Sequence, residues 1–305
     1  MGCSERNGAV MNYILIVLSI ILGVMTGAVS KYAGERFKNK VLMYNVFNVF
    51  VSAVSAVSML FIGKITHISA FTVYLGTAYG IATALQFIFN LKAYETGSFA
   101  YTSVITSLAT VIPALSGYFI WNEKITIFQI IGMVMMFICA VCSVDFSKEE
   151  RRTSAIWFCY TIIVFFCSGF LGVMQKLHQS TVYKNELDSF LFIAFVVSAV
   201  CSSASIVLPH RKNVDDNVDT LKKEVSKGLI VLMVICGIFT AGIHKINLYL
   251  SGVMESVVFF PVINGGSLMG TMMVSLLLFK EKLSLKKWVG IIIGIIAVIL
   301  ICTPV

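Results

Sequence analysis

Apolar residues run through this chain in long unbroken blocks separated by short polar interruptions. Ten blocks stand out, at approximately 11–30, 42–63, 70–91, 99–121, 126–145, 154–175, 187–208, 228–250, 256–279 and 285–303. A hydrocarbon layer about 30 Å thick takes roughly 20 residues of α-helix to cross, so each block predicts one crossing. The blocks are continuously apolar, without the alternation of a barrel strand, and about twice as long as such a strand needs. Most connections are short, so neighbouring helices are expected to run antiparallel. The segments 146–153 (FSKEERRT) and 209–227 (PHRKNVDDNVDTLKKEVSK) are the exceptions and read as aqueous loops. The predicted fold class is an all-α integral membrane protein of ten transmembrane helices.

The pattern repeats. Residues 119–132 read FIWNEKITIFQIIG and residues 277–290 read LLFKEKLSLKKWVG, which aligns Glu123-Lys124 with Glu281-Lys282, Thr126 with Ser284, and Gly132 with Gly290. Asn90-Leu91 has a counterpart in Asn247-Leu248, and GAVSK (27–31) in GVMQK (172–176), each ending an apolar block at a lysine. Matches in the same order predict a duplication: a tail over 1–10, a five-helix repeat over 11–147, a linker over 148–153, and a second five-helix repeat over 154–305. Five is odd, so the second repeat enters the membrane upside down. Inverted repeats are a recurrent architecture of secondary transporters, with the solute site near the midplane.

The segments EKITIFQIIG and EKLSLKKWVG resemble the signature that closes each half of the drug/metabolite transporter superfamily, EamA type. It consists of an acidic–basic pair, a hydroxyl residue two positions on, and a glycine opening the last helix. Thr126 and Ser284 are placed to cap the helices that follow, and each Glu to pair with Lys at the water interface. Gly132 and Gly290 are placed to let helices approach closely. The resemblance covers essentially the whole chain and implies a solute exporter or exchanger. It also implies a central cavity lined by the first four helices of each half, the fifth lying outside it. It selects no substrate.

Polar residues inside the apolar blocks are the candidates for that cavity, because a charge at the bilayer centre costs at least ~2.5–3.5 kcal/mol. Gln86 and Asn90 stand one turn apart on the third helix, and His244, Lys245 and Asn247 on the eighth, at equivalent positions of the two repeats. Gln175 and Asn264 join them as candidate solute-binding residues. Pro261 and Gly265-Gly266 flank Asn264, so the ninth helix is expected to bend or loosen there, and Pro113 gives the fourth the same opportunity. Lys31 and Lys176 are candidates for the cavity mouth, or ordinary interface anchors. His244 and Lys245 favour a neutral, zwitterionic or anionic solute. The first helix carries no Asp or Glu, so the acidic proton-exchange site of the half-length small multidrug resistance proteins has no counterpart.

Composition narrows the class further. Only 12% of the 305 residues are charged and 58% are hydrophobic, against about 25% charged in soluble domains. The eight cysteines lie almost entirely in apolar blocks and read as small buried hydrophobes. Four scattered histidines, no metal-ligand spacing, no nucleophile elbow and no phosphate-binding glycine loop predict a protein that is not an enzyme, needs no cofactor and hydrolyses no ATP. The net charge of +8 comes with no cluster of basic and aromatic residues, so no nucleic acid is expected. Seventeen lysines and arginines fall on the face opposite the termini and six on the terminal face. The positive-inside rule then puts the termini outside, whereas the resemblance implies cytoplasmic termini. For residues 1–10, Arg6 breaks the myristoylation pattern, no cleavable leader is legible, and Met11 offers a second start. The reading is a multi-pass plasma-membrane protein that moves small polar solutes by alternating access, one chain being sufficient. The alternatives are a non-transporting sensor or assembly partner, and a flippase for lipid-linked substrates with a laterally open groove.

Overall fold

Every apolar block forms a helix. The computed structural model describes residues 3–35, 40–65, 68–97, 99–144, 154–207, 227–277 and 284–303, less the side chains of 3–7, 9, 30–35, 40–44, 99–100, 205–207 and 275–276. The helices are α1 (Cys3–Glu35), α2 (Lys40–Ile62), α3 (Ala70–Thr96), α4 (Phe99–Ser107), α5 (Val111–Trp121) and α6 (Ile127–Ser143) in the first half. In the second half they are α7 (Ala155–Gln179), α8 (Leu187–Val207), α9 (Lys227–Val253), α10 (Ser256–Leu277) and α11 (Leu285–Ile301). Eight spans are long and apolar enough to cross a membrane by themselves, α4 and α5 together making one of them. The 17-residue α6 and α11 complete ten transmembrane helices in two inverted repeats of five. Among the described residues there is no strand.

Two departures from the sequence pattern have physical causes. The expected tail is helical from Cys3, and the 33 residues of α1 extend about 50 Å at 1.5 Å per residue, beyond a hydrocarbon layer about 30 Å thick. The fourth span is interrupted by a 3₁₀ turn at Leu108–Thr110. Pro113 follows three residues later and has no N–H to give Ala109, so the α-helical ladder cannot run through this point.

The signature segments are local devices. The Thr126 hydroxyl accepts from Gln129 N at 3.2 Å, and the Gln129 side-chain oxygen accepts from Thr126 N at 2.9 Å, a reciprocal cap on α6. Ser284 accepts from Lys287 N at 3.4 Å and starts α11. Gly132 and Gly290 then bring α6 and α11 together: a Cβ on Gly132 would lie 2.9 Å from the Ala297 carbonyl oxygen, and one on Gly290 would lie 2.7 Å from Cys142 Cβ.

The repeats are not separate lobes. The principal packing pairs join one half to the other: α6 with α11, α2 with α8, α3 with α7 and α8, α1 and α2 with α9, and α1 and α5 with α10. One buried cluster draws Ala56, Met59 and Tyr79 from the first half and Phe190, Leu191 and Leu248 from the second. Another joins Ile16, Ala114 and Met136 to Phe259, Val262 and Ile301. Neither half could bury these faces alone; the helices pack as mixed groups such as α2–α3–α8 and α6–α10–α11.

Candidate functional site

A cavity of about 400 Å³ is walled by α3, α4, α5, α7, α9 and α10, helices of both halves. No residue of α6 or α11 reaches it. Gln86 and Asn90 enter from α3, Gln175 and Ser168 from α7, Asn247 from α9 and Asn264 from α10, with Thr106, Ser107 and Thr110 from the interrupted span. The structure thus brings together Gln86, Asn90, Gln175, Asn247 and Asn264. Apart from the Tyr79 phenol, no described lining residue is ionisable.

Several of these groups are held by neighbours. Gln86 Nε2 donates to Ser168 Oγ at 2.7 Å, joining the two walls α3 and α7. Gln175 Nε2 donates to the Tyr79 hydroxyl at 2.7 Å, and the buried Ser19 of α1 donates to Asn247 Oδ1 at 2.6 Å. Asn264 Nδ2 donates to the Phe260 carbonyl at 3.0 Å, one residue before Pro261. Asn90 Oδ1 is buried with no hydrogen-bond partner. An orphaned buried acceptor is costly, and this one belongs to a residue of the cavity wall. The lining offers amide and hydroxyl groups that recognise hydroxyls and amides, and no fixed charge to balance an ionic solute in a low-dielectric setting.

Other candidates lie elsewhere. His244 is not in this cavity: its ring stands behind Tyr79, with Nδ1 3.4 Å from the phenol oxygen and its edge against Phe195. It faces a separate cavity of about 270 Å³ among α1, α2, α3 and α9. Lys245 reaches the terminal face, where α1 begins, and pairs with Asp188 at 2.7 Å, while Asp188 also accepts from Lys64 N at 2.8 Å. With both residues off the wall, the argument from them for an anionic solute falls away. Lys176 follows the cavity floor by one residue and turns away from it. Its Nζ lies 2.7 Å from Glu123 Oε1 and donates to the Met254 carbonyl at 2.9 Å.

Glu123 was expected to pair with its neighbour Lys124 at the water interface, and instead spans the halves. Asn122 adopts a left-handed conformation (φ 53°) that ends α5 and turns the chain back. The Glu123 carboxylate then accepts from Ser256 N at 2.7 Å at the first turn of α10, where negative charge suits the helix dipole. A side chain on Gly117 would collide with that carboxylate. Glu123, Lys176, Met254 and Ser256 form one connected layer on the terminal side of the cavity. Lys124 is exposed. Lys282, Glu281 and the Lys31 side chain lie outside the described residues.

Sequence reading missed Tyr79, Ser168, Thr106 and Thr110. Spacing carried a signal for two of them: Tyr79 precedes Gln86 by seven positions and Asn90 by eleven, and Ser168 precedes Gln175 by seven, each set on one helical stripe. Among the described residues no group of three or more His, Cys, Asp and Glu side chains could hold a metal ion.

Comparison with known proteins bears on the fold and the family. The pattern of the EamA-like transporter family matches twice, over residues 10–144 and 155–303. No curated protein matches the sequence. One solved structure, described only as the crystal structure of a protein, is 13% identical and superposes with a TM-score of 0.70, covering 96% of each chain. At that identity the likeness concerns the fold.

Proposed function

Because this chain belongs to the EamA-like transporter family, and so is a multi-pass membrane transporter, we propose that the cavity walled by helices of both halves binds small, uncharged polar organic solutes. We infer that it carries them across the plasma membrane by alternating access. The observation that carries the reading is the lining itself: amides and hydroxyls from both halves converge, one buried acceptor is unpaired, and no described side chain carries a formal charge. The layer of Glu123, Lys176 and Ser256 joins the α5–α6 turn of the first half to α7 and α10 of the second at the terminal face. Carrying a solute to that face requires this layer to part.

A thermal-shift screen of the purified protein against polyols, nucleosides, amino acids and organic ions tests the solute class. Uncharged polyols or nucleosides should raise the unfolding midpoint and ionic solutes should not. With the solute so identified, Asn90→Leu and Asn247→Leu are expected to abolish its flux in proteoliposomes while leaving a folded, monodisperse protein. Undiminished flux in both variants would place the solute elsewhere.

Alternating access between inverted repeats makes a second demand. The repeat alignment makes Lys31 and Glu281 the counterparts of Lys176 and Glu123. Lys31→Glu is therefore expected to slow flux, and Lys31→Glu/Glu281→Lys to restore it. Flux that responds to neither change would sink the symmetric mechanism.

A further inference from the structure

An apolar pocket of about 260 Å³ opens between α5, α6 and α10 beside the central cavity. Leu108, Val111, Met133, Met136 and Phe137 form its apolar walls, and it shares Ser107, Thr110 and Asn264 with the polar cavity. The two spaces therefore meet across three polar side chains. The inner wall is deep, with Met136 at 8% and Ala140 at 4% exposure, while Phe137 and Thr271 at its rim are exposed. The pocket thus has an exposed rim at one end and, at the other, three side chains that also line the solute cavity.

The pocket has a specific origin. The 3₁₀ turn at Leu108–Thr110 breaks the fourth span at this wall. Gly265 leaves room for Met136, since any Cβ there would strike its sulfur. Pro261 breaks the hydrogen-bond ladder of α10 at the same level. Interiors are normally close-packed, and an unfilled apolar space forfeits the dispersion contacts of its walls. A binding pocket, by contrast, is mostly apolar with a few well-placed polar groups at one end, which is what the two spaces make together.

Building on the solute reading above, we propose that the transported solute is an amphiphile. Its uncharged polar head would occupy the cavity at Asn90 and Asn247, and its alkyl tail would pass Asn264 into the pocket between α6 and α10. An uncharged head fits because neither space presents a charged side chain among the described residues. The apolar rim then serves as the lateral door through which the tail slides while the head stays in polar surroundings.

The test uses two photoreactive analogues of monodecanoylglycerol, one with a diazirine in the acyl chain and one on the glycerol, in phosphatidylcholine proteoliposomes of the full chain. The tail probe should label Met133, Met136 or Phe137 and the head probe Asn90 or Thr106. Both signals should be lost on adding unlabelled monodecanoylglycerol. Decanoate, with the same tail and an anionic head, should compete about tenfold less well, because the cavity cannot solvate its charge. Ala140→Phe, which fills the pocket, should remove the tail signal and keep the head signal. Since that variant risks misfolding, competition in the unaltered protein decides.

Tail labelling confined to the outward-facing Ile131, Val134 and Ile138, and indifferent to competitor, would overturn the inference. Absence of any competed labelling would overturn it too. If solute flux still depends on Asn90 in either case, the cavity reading stands and only the amphiphile is lost. Flux independent of Asn90 would instead remove the cavity reading itself.

Discussion

Lys176→Met is expected to lower the thermal unfolding midpoint of the detergent-solubilised protein sharply. Lys176 and Glu123 are nearly buried, with side chains 9% and 10% exposed, and their charged atoms lie 2.7 Å apart. Removing the ammonium strands the carboxylate, and breaking a buried pair in this way costs about 3–5 kcal/mol. Ser256 N continues to solvate Glu123, which places the loss toward the lower end of that range. Lys176→Met/Glu123→Gln should recover much of the stability, because no uncompensated charge remains, yet it should still fail to hold the terminal face shut. Differential scanning fluorimetry of the parent and the two variants checks the order of stability. A single variant as stable as the parent would show that the pair contributes nothing to stability.

The second large effect is expected at Gly132→Leu. A Cβ there sits 2.9 Å from the Ala297 carbonyl oxygen and 3.2 Å from Ile301 N, both backbone atoms that cannot rotate aside. The whole of α11 would have to move off α6, and overpacking of this kind typically costs about 1–3 kcal/mol and sometimes more. The seam joins the last helices of the two halves, so its loss should show as aggregated or degraded protein on size exclusion. Gly132→Ala should fall between parent and Gly132→Leu. Gly242→Ala is the contrasting control: apart from its chain neighbours and the adjacent backbone of its own helix, no atom lies within 4 Å of its Cβ position. There, replacing a mid-helix glycine should be neutral or stabilising by about 0.5–1 kcal/mol. Equal behaviour at Gly132 and Gly242 would contradict the seam.

Much of the fold is legible in the chain because membrane helices declare themselves one at a time. A block of apolar residues satisfies its own backbone hydrogen bonds, so its span depends little on what it touches. The caps at Thr126 and Ser284 are equally local, reaching only three residues ahead. The fourth span shows the boundary of such reasoning. Pro113 announced a possible weakness, whereas the 3₁₀ turn appears three residues earlier, where the missing N–H is felt.

The candidate site was legible only in part, for the same reason. Asn90, Asn247 and Gln175 could be singled out because polar groups in apolar blocks are costly wherever they point. Their neighbours His244 and Lys245 looked equally suited, and one helical step carried them out of the cavity. One went behind Tyr79 and the other to Asp188. That difference rests on how α9 rotates against α1, α2 and α8, which no short window of residues records.

The sequence by itself determined that the chain spans the membrane ten times, that it is an inverted duplication, and where its buried polar groups lie. These follow from solvent preference and periodicity, which act along the chain. Tertiary structure alone decided that the halves intercalate, that Glu123 closes on Lys176 and caps α10, and that an apolar pocket opens onto the polar cavity. Each of those depends on contacts between residues from 53 to more than 100 positions apart, set by helix rotation and by the few points where a glycine or a proline lets two spans approach or open.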